Sequence, residues 1–184
     1  MNKKTKFIFI VILVFVGRFF DGFTTFLYTH NLRNESNIVV KWFGGGWAAI
    51  VIIQTLLMLI IIYCLFYYFF KFEIIKPTES NLTIKQFISV FHFNDKNSFW
   101  KIFYDIPKNK IGYFSMIGYV ASMTLIFASY IVGTSTSLLI LSDSYRNFYK
   151  HHIPYVLYSL IVIIAIYFTI RFYRKEYYKY KYGC

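Results

Sequence analysis

Apolar residues along the chain fall into four near-continuous runs separated by short polar stretches. The runs cover residues 7–29, 44–70, 111–141 and 153–173, each longer than the about 20 mainly apolar residues needed to cross a bilayer as a helix. They predict an all-α fold, a four-helix transmembrane bundle in one integral membrane domain. The connection 71–110 carries a different pattern. Within "NLTIKQFISVFHF", Leu82, Ile84, Phe87, Ile88, Phe91 and Phe93 fit one helical face, with Lys85, Gln86 and Ser89 off it. That spacing predicts an amphipathic helix over 82–93 lying in the headgroup region, with His92 an interfacial side chain and Trp100 and Phe103 as further anchors.

Small residues in the third run recur at four-residue steps: Gly118 and Ser122, then Ser129, Gly133 and Ser137. In lipid, where no hydrophobic drive separates helix from solvent, such a stripe lets two backbones approach closely, so the third span is expected to be the central packing helix. Gly44-Gly45-Gly46, flanked by Trp42 and Trp47, reads as a tight turn anchored in an aromatic belt. The tail "RFYRKEYYKYKYGC" alternates tyrosine with cations and reads as an anchoring segment at headgroup level.

Composition sharpens this picture. The chain of 184 residues is 58% hydrophobic and only 15% charged, against about 25% charged in an ordinary soluble domain. The basic start Lys3-Lys4-Thr5-Lys6 suits a signal peptide. However, the first run passes straight into Gly17-Arg18-Phe19-Phe20-Asp21 with no small-residue cleavage pattern, which predicts an uncleaved first helix.

The net charge of +12 is resolved by its distribution. The N-terminus holds Lys3, Lys4 and Lys6; the 71–110 connection holds Lys71, Lys76, Lys85, Lys96, Lys101, Lys108 and Lys110; the tail holds Arg171, Arg174, Lys175, Lys179 and Lys181. The other two loops hold only Arg33, Lys41, Arg146 and Lys150. Fifteen against four predicts a multi-pass protein of the cell membrane, the inner membrane in a two-membrane cell, with both termini cytoplasmic. The basic charge is thereby read as topology and attraction to anionic headgroups, and nucleic acid is excluded as a partner. The expected partners are the lipid bilayer and a membrane protein or second copy of the chain. Cys64 and Cys184 both fall on the inner side, where a disulfide is not expected.

The candidate chemistry lies in the outer half of the bundle. Arg18 falls near the middle of the first span, where a charge costs about 2.5–3.5 kcal/mol on insertion scales. Asp21 stands three residues on, so the two share a helix face and partly neutralise each other; Thr24 and Thr25 follow one turn later. This stripe should face the bundle interior or a wet cavity. Gln54 in the second span and Thr134-Ser135-Thr136-Ser137 in the third lie at comparable depth. Glu35 and Asn37, and on the second turn Asp143, Arg146, His151 and His152, lie at the outer rim.

The pattern Asp21-x-x-Thr24-Thr25 followed by Glu35-x-Asn37 resembles the first hairpin of an uncharacterised family of small multi-pass prokaryotic membrane proteins, domain of unknown function 5658. In that family an intramembrane aspartate with a Ser/Thr pair precedes a Glu-x-Asn-Pro turn. Here Ile38 stands in place of the proline, and the likeness spans residues 17–50. The resemblance implies a small polytopic fold and brings no activity with it.

Three functions remain open at this level. The stripe Arg18, Asp21, Thr24 and Thr25, with Gln54, Glu35, Asn37 and Asp143, is a site for binding or transporting a small ligand or ion. Alternatively the pair fixes helix packing in a structural or accessory subunit. A third reading takes Asp21, Glu35, His151 and His152, with His30, as ligands of a divalent metal in a membrane enzyme. No HExxH or CxxC spacing accompanies the metal reading, and the absence of GxSxG, GxGxxG and phosphate-loop patterns argues against hydrolase, kinase and nucleotide-binding activities.

Overall fold

The computed structural model describes residues 2–32, 46–72, 81–149 and 153–183. Four of its helices are long and apolar enough to cross a membrane, as the sequence predicts. The first, α1 (Lys3–Tyr28), begins four residues before the predicted apolar run. Asn2 explains the extension: its Oδ1 accepts from the backbone N–H of Thr5 at 2.7 Å, capping a first turn that carries Lys3, Lys4 and Lys6.

Helix α2 (Trp47–Phe66) starts after Gly46, so the predicted start at 44 moves inward, while Gly44, Gly45 and Trp42 lie outside the described residues. It continues as a π-helical turn, Tyr67–Lys71, closed by the Phe72 N–H on the Tyr67 carbonyl at 2.7 Å. The turn directs Tyr68 and Phe69 into the core. At the other end, Trp47 ties α2 to α1: its indole N–H donates to the His30 carbonyl at 2.8 Å and its ring meets Phe26 edge-on.

The expected amphipathic helix forms as α3 (Ile84–Phe93), opened by a reciprocal Thr83–Gln86 capping box and ended by Asn94 in the left-handed conformation. Its apolar face is filled by protein. Phe87 packs on Tyr177 and Tyr180 with ring centroids 5.6 and 5.4 Å apart, and Phe87, Phe91 and His92 are all buried. A 3₁₀ turn follows (Phe99–Phe103), from which Trp100 and Phe103 project outward.

Helix α4 (Lys110–Leu141) sits at the centre and packs on α1, α2 and the last helix. Its buried positions include Ser115, Gly118, Ser122, Ser129 and Gly133, so the expected stripe gains Ser115 at one end, while its last expected member, Ser137, is only half-buried. A short helix, α5 (Asp143–Tyr149), caps its far end. Helix α6 (Ile153–Tyr182) runs nine residues past the predicted end of the fourth span. The tail is therefore a helix docked on protein rather than a loose anchor. Tyr177 donates its hydroxyl to the Leu82 carbonyl at 2.9 Å, and the Leu82 N–H donates to Tyr180 at 3.2 Å.

The bundle's core is aromatic at the basic end, where Tyr68, Phe91, Tyr119 and Phe172 meet, and aliphatic further in, where Val14, Met58 and Ile126 meet. Elsewhere the spans keep their apolar side chains outward. Only 6% of the most apolar window of α6 is buried, so the rest of that surface has to meet lipid.

Candidate functional site

Arg18 and Asp21 occupy successive turns of α1 and point the same way, because residues three apart lie on one helix face. Arg18 Nη1 donates to Asp21 Oδ2 at 2.6 Å and lies 3.5 Å from Ser129 Oγ on α4. The stripe thus faces the bundle interior, as expected. Glycines bring the two helices together here. Gly17 lies against Ser129, where an added Cβ would come within 3.3 Å of the serine's own Cβ, and Gly133 lies under the Phe20 ring and the Asp21 backbone. The pair is not sealed: the Arg18 and Asp21 side chains keep 20% and 13% of their exposure. It is a charge-assisted ion pair at mid-helix depth, partly reachable from outside the protein.

The other predicted members are placed differently. Thr24 is buried, and its hydroxyl donates to the carbonyls of Phe20 and Asp21, both at 3.0 Å, so it serves its own helix. Thr25 is half-buried, and its carbonyl accepts from the Thr29 N–H at 2.9 Å at the end of α1. Gln54 is half-buried on α2, and among the described residues no hydrogen bond joins it to Arg18 or Asp21.

In α4, Thr136 and Ser137 return their hydroxyls to the carbonyls of Val132 and Gly133. Ser135 instead bonds the Tyr145 hydroxyl at 2.8 Å. Asp143 is exposed and pairs with Arg146 at 3.1 Å, while Arg146 also donates twice to the Leu139 carbonyl at the end of α4. Asp143 therefore belongs to an end cap and is not brought to Asp21.

Glu35, Asn37, His151 and His152 lie outside the described residues. Among the described residues, no three His, Cys, Asp or Glu side chains come together as a metal site would need. His30 is exposed, its ring against Phe26.

A depression of about 360 Å³ opens at this end of the bundle, lined by Leu27, Tyr28, Ile140 and Arg146. Leu27 is six residues beyond Asp21, about 9 Å further along α1, so the depression lies on the same side as the pair, and Arg18 and Asp21 do not line it.

At the opposite end the structure holds buried polar groups that the sequence reading placed elsewhere. His92, expected at the interface, is 1% exposed with Nε2 2.6 Å from the Tyr173 hydroxyl, which in turn donates to Met116 Sδ at 2.9 Å. Burial pushes the His92 imidazole down to about 4, so it is neutral at physiological pH. Glu176, within the expected anchoring tail, is also 1% exposed and accepts from Lys179 at 2.6 Å. The one signal in the sequence for Glu176 is that it is the only acid in a basic tail, three residues before a lysine.

Comparison with family models, with curated proteins and with solved structures finds no match to this chain.

Proposed function

We propose that the chain is a multi-pass protein of the cell membrane, with cytoplasmic termini, that binds or passes a small ligand or ion at the α1–α4 interface. The observation that carries this reading is the Arg18–Asp21 pair, held at 2.6 Å at mid-span against Ser129 while part of both side chains stays exposed. Ionisable groups at that depth are costly and usually mark a ligand or proton route. A pair kept only for stability could be replaced by apolar side chains at little cost or with benefit. Opening the pair would present a carboxylate and a guanidinium to an entering ligand, with the Arg146-lined depression on the same side as its approach.

A second reading has its own support. The glycine contacts at Gly17 and Gly133 bring α1 and α4 together at this level, which suits a packing latch in an accessory subunit.

One pair of variants separates them. Under the site reading, Asp21→Asn folds in detergent yet loses uptake or a growth phenotype, and Arg18→Leu with Asp21→Leu is stable and inactive. A double variant that is stable and fully functional would leave only the latch.

A further inference from the structure

A second cavity, of about 390 Å³, opens at the basic end of the bundle between α1, the π-helical turn, α4 and α6. Its size falls within the range of about 300–1,000 Å³ typical of small-molecule sites. Its walls are graded along the membrane direction. Lys6, Arg171 and Lys175 stand at one end; Leu13, Met123 and Phe127 lie deeper. Lys6 and Leu13 are seven residues apart on α1, so the lining runs about 10 Å from cations into apolar surface.

The three cations come from opposite ends of the chain and converge on one rim. Lys175 is held there by Tyr68: its Nζ donates to the phenol oxygen at 2.7 Å and lies 5.4 Å from the ring centre. Among the described residues no carboxylate pairs with any of the three; the neighbouring Glu176 gives one oxygen to Lys179, and its other oxygen is buried without a hydrogen-bond partner. Three like charges on one rim repel each other unless an anion joins them, and a water-soluble anion would have no use for the apolar depth behind them. A phosphodiester carrying acyl chains satisfies both ends.

We propose that this groove binds one anionic phospholipid, its phosphate between Lys6, Arg171 and Lys175 and one acyl chain along Leu13, Met123 and Phe127. The site rests on different residues from the Arg18–Asp21 reading: its cationic rim is at the basic end of the bundle, and its deepest residue on α1, Leu13, stops five residues short of Arg18.

The test uses the full-length protein in neutral detergent, with native mass spectrometry and thermal unfolding as readouts. Phosphatidylglycerol should be retained one per chain and raise the unfolding temperature. Phosphatidylcholine of the same chains, and glycerol phosphate alone, should do neither. Arg171→Gln with Lys175→Gln should lower phosphatidylglycerol retention at least tenfold, and Lys101→Gln with Lys108→Gln, which removes the same charge elsewhere, should leave it unchanged. Should the first double variant fail to fold, Lys6→Gln with Arg171→Gln takes its place, and Met123→Trp tests the apolar depth separately. Equal retention of the two phospholipids, equal response to glycerol phosphate, equal loss in the Lys101 and Lys108 control, or unchanged retention in the groove variants would each overturn the assignment.

Discussion

The imidazole Nε2 of His92 lies 2.6 Å from the Tyr173 hydroxyl, joining α3 to α6 across 81 residues of chain. Burial of the ring at this contact sets a pH dependence. His92 is held at about 4 in the folded protein against an ordinary value of 6.5, with burial as the cause. Between those values the unfolded chain binds a proton that the folded chain refuses, so stability rises with pH across that window. The contribution is complete above about 6.5 and lost progressively as pH falls toward 4, and it amounts to about 3 kcal/mol over the full range. Thermal unfolding in detergent at pH 7 and pH 4.5 should show the drop, and His92→Phe should flatten it. An equal drop in His92→Phe would assign the effect to other groups.

Gly118 and Ser122 test how the central helix works. A Cβ on Gly118 would strike the backbone of Cys64 and Leu65, where α2 and α4 touch with no side chain between them. Backbone cannot swing aside, so Gly118→Ala should cost at least about 1–3 kcal/mol. Ser122 is fully buried, and its hydroxyl has no partner among the described residues, so the position needs small size rather than a donor. Ser122→Ala should be neutral or mildly stabilising and Ser122→Val destabilising. A denaturation series on the three variants decides it, and tolerance of Gly118→Ala would mean that the helices cross further apart.

The docked tail offers a local test. Tyr177 and Tyr180 hold both backbone groups of Leu82, just before the capping box of α3. Removing either hydroxyl strands a Leu82 backbone group and should cost about 1 kcal/mol. Tyr177→Phe with Tyr180→Phe should loosen the contact between α3 and α6 while the spans stay folded. Trypsin should then cut faster at Lys179 and Lys181, with unfolding of the spans little changed. Unchanged cleavage would mean that ring packing on Phe87, rather than the hydroxyls, holds the tail.

How much of this was legible in the sequence depends on the range of each interaction. The four spans, α3 and the small-residue stripe are local patterns, and each helix starts within a few residues of its expected place, although the fourth span runs nine residues past its expected end. The Arg18–Asp21 pair was legible for the same reason, being an i, i+3 relationship inside one helix. Ser129 as its neighbour was not, because that requires the register of α1 against α4, which Gly17 and Gly133 set across more than a hundred residues. His92 and Glu176 were misplaced through the same gap. Their polarity alone puts them at a surface, and only the folding back of α3 onto an extended α6 buries them.

The orientation of the bundle yields the last prediction. Four spans return the chain to the side on which it started, and the docking of α3 on the end of α6 places Lys96 and the tail at one end, where α1 also begins. Fifteen of the loop and terminal cations belong to that end by sequence, so the positive-inside rule predicts that it faces the cytoplasm, the orientation proposed above. In a chain with Cys64 and Cys184 replaced by Ser, an impermeant thiol reagent applied to intact cells should label Asn34→Cys and leave Lys96→Cys untouched until the membrane is opened. Labelling of Lys96→Cys in intact cells would invert the orientation and move the Arg18–Asp21 pair to the inner half of the membrane. The proposed phospholipid groove would then face the outer leaflet, and its three cations would no longer meet the leaflet richer in anionic lipid.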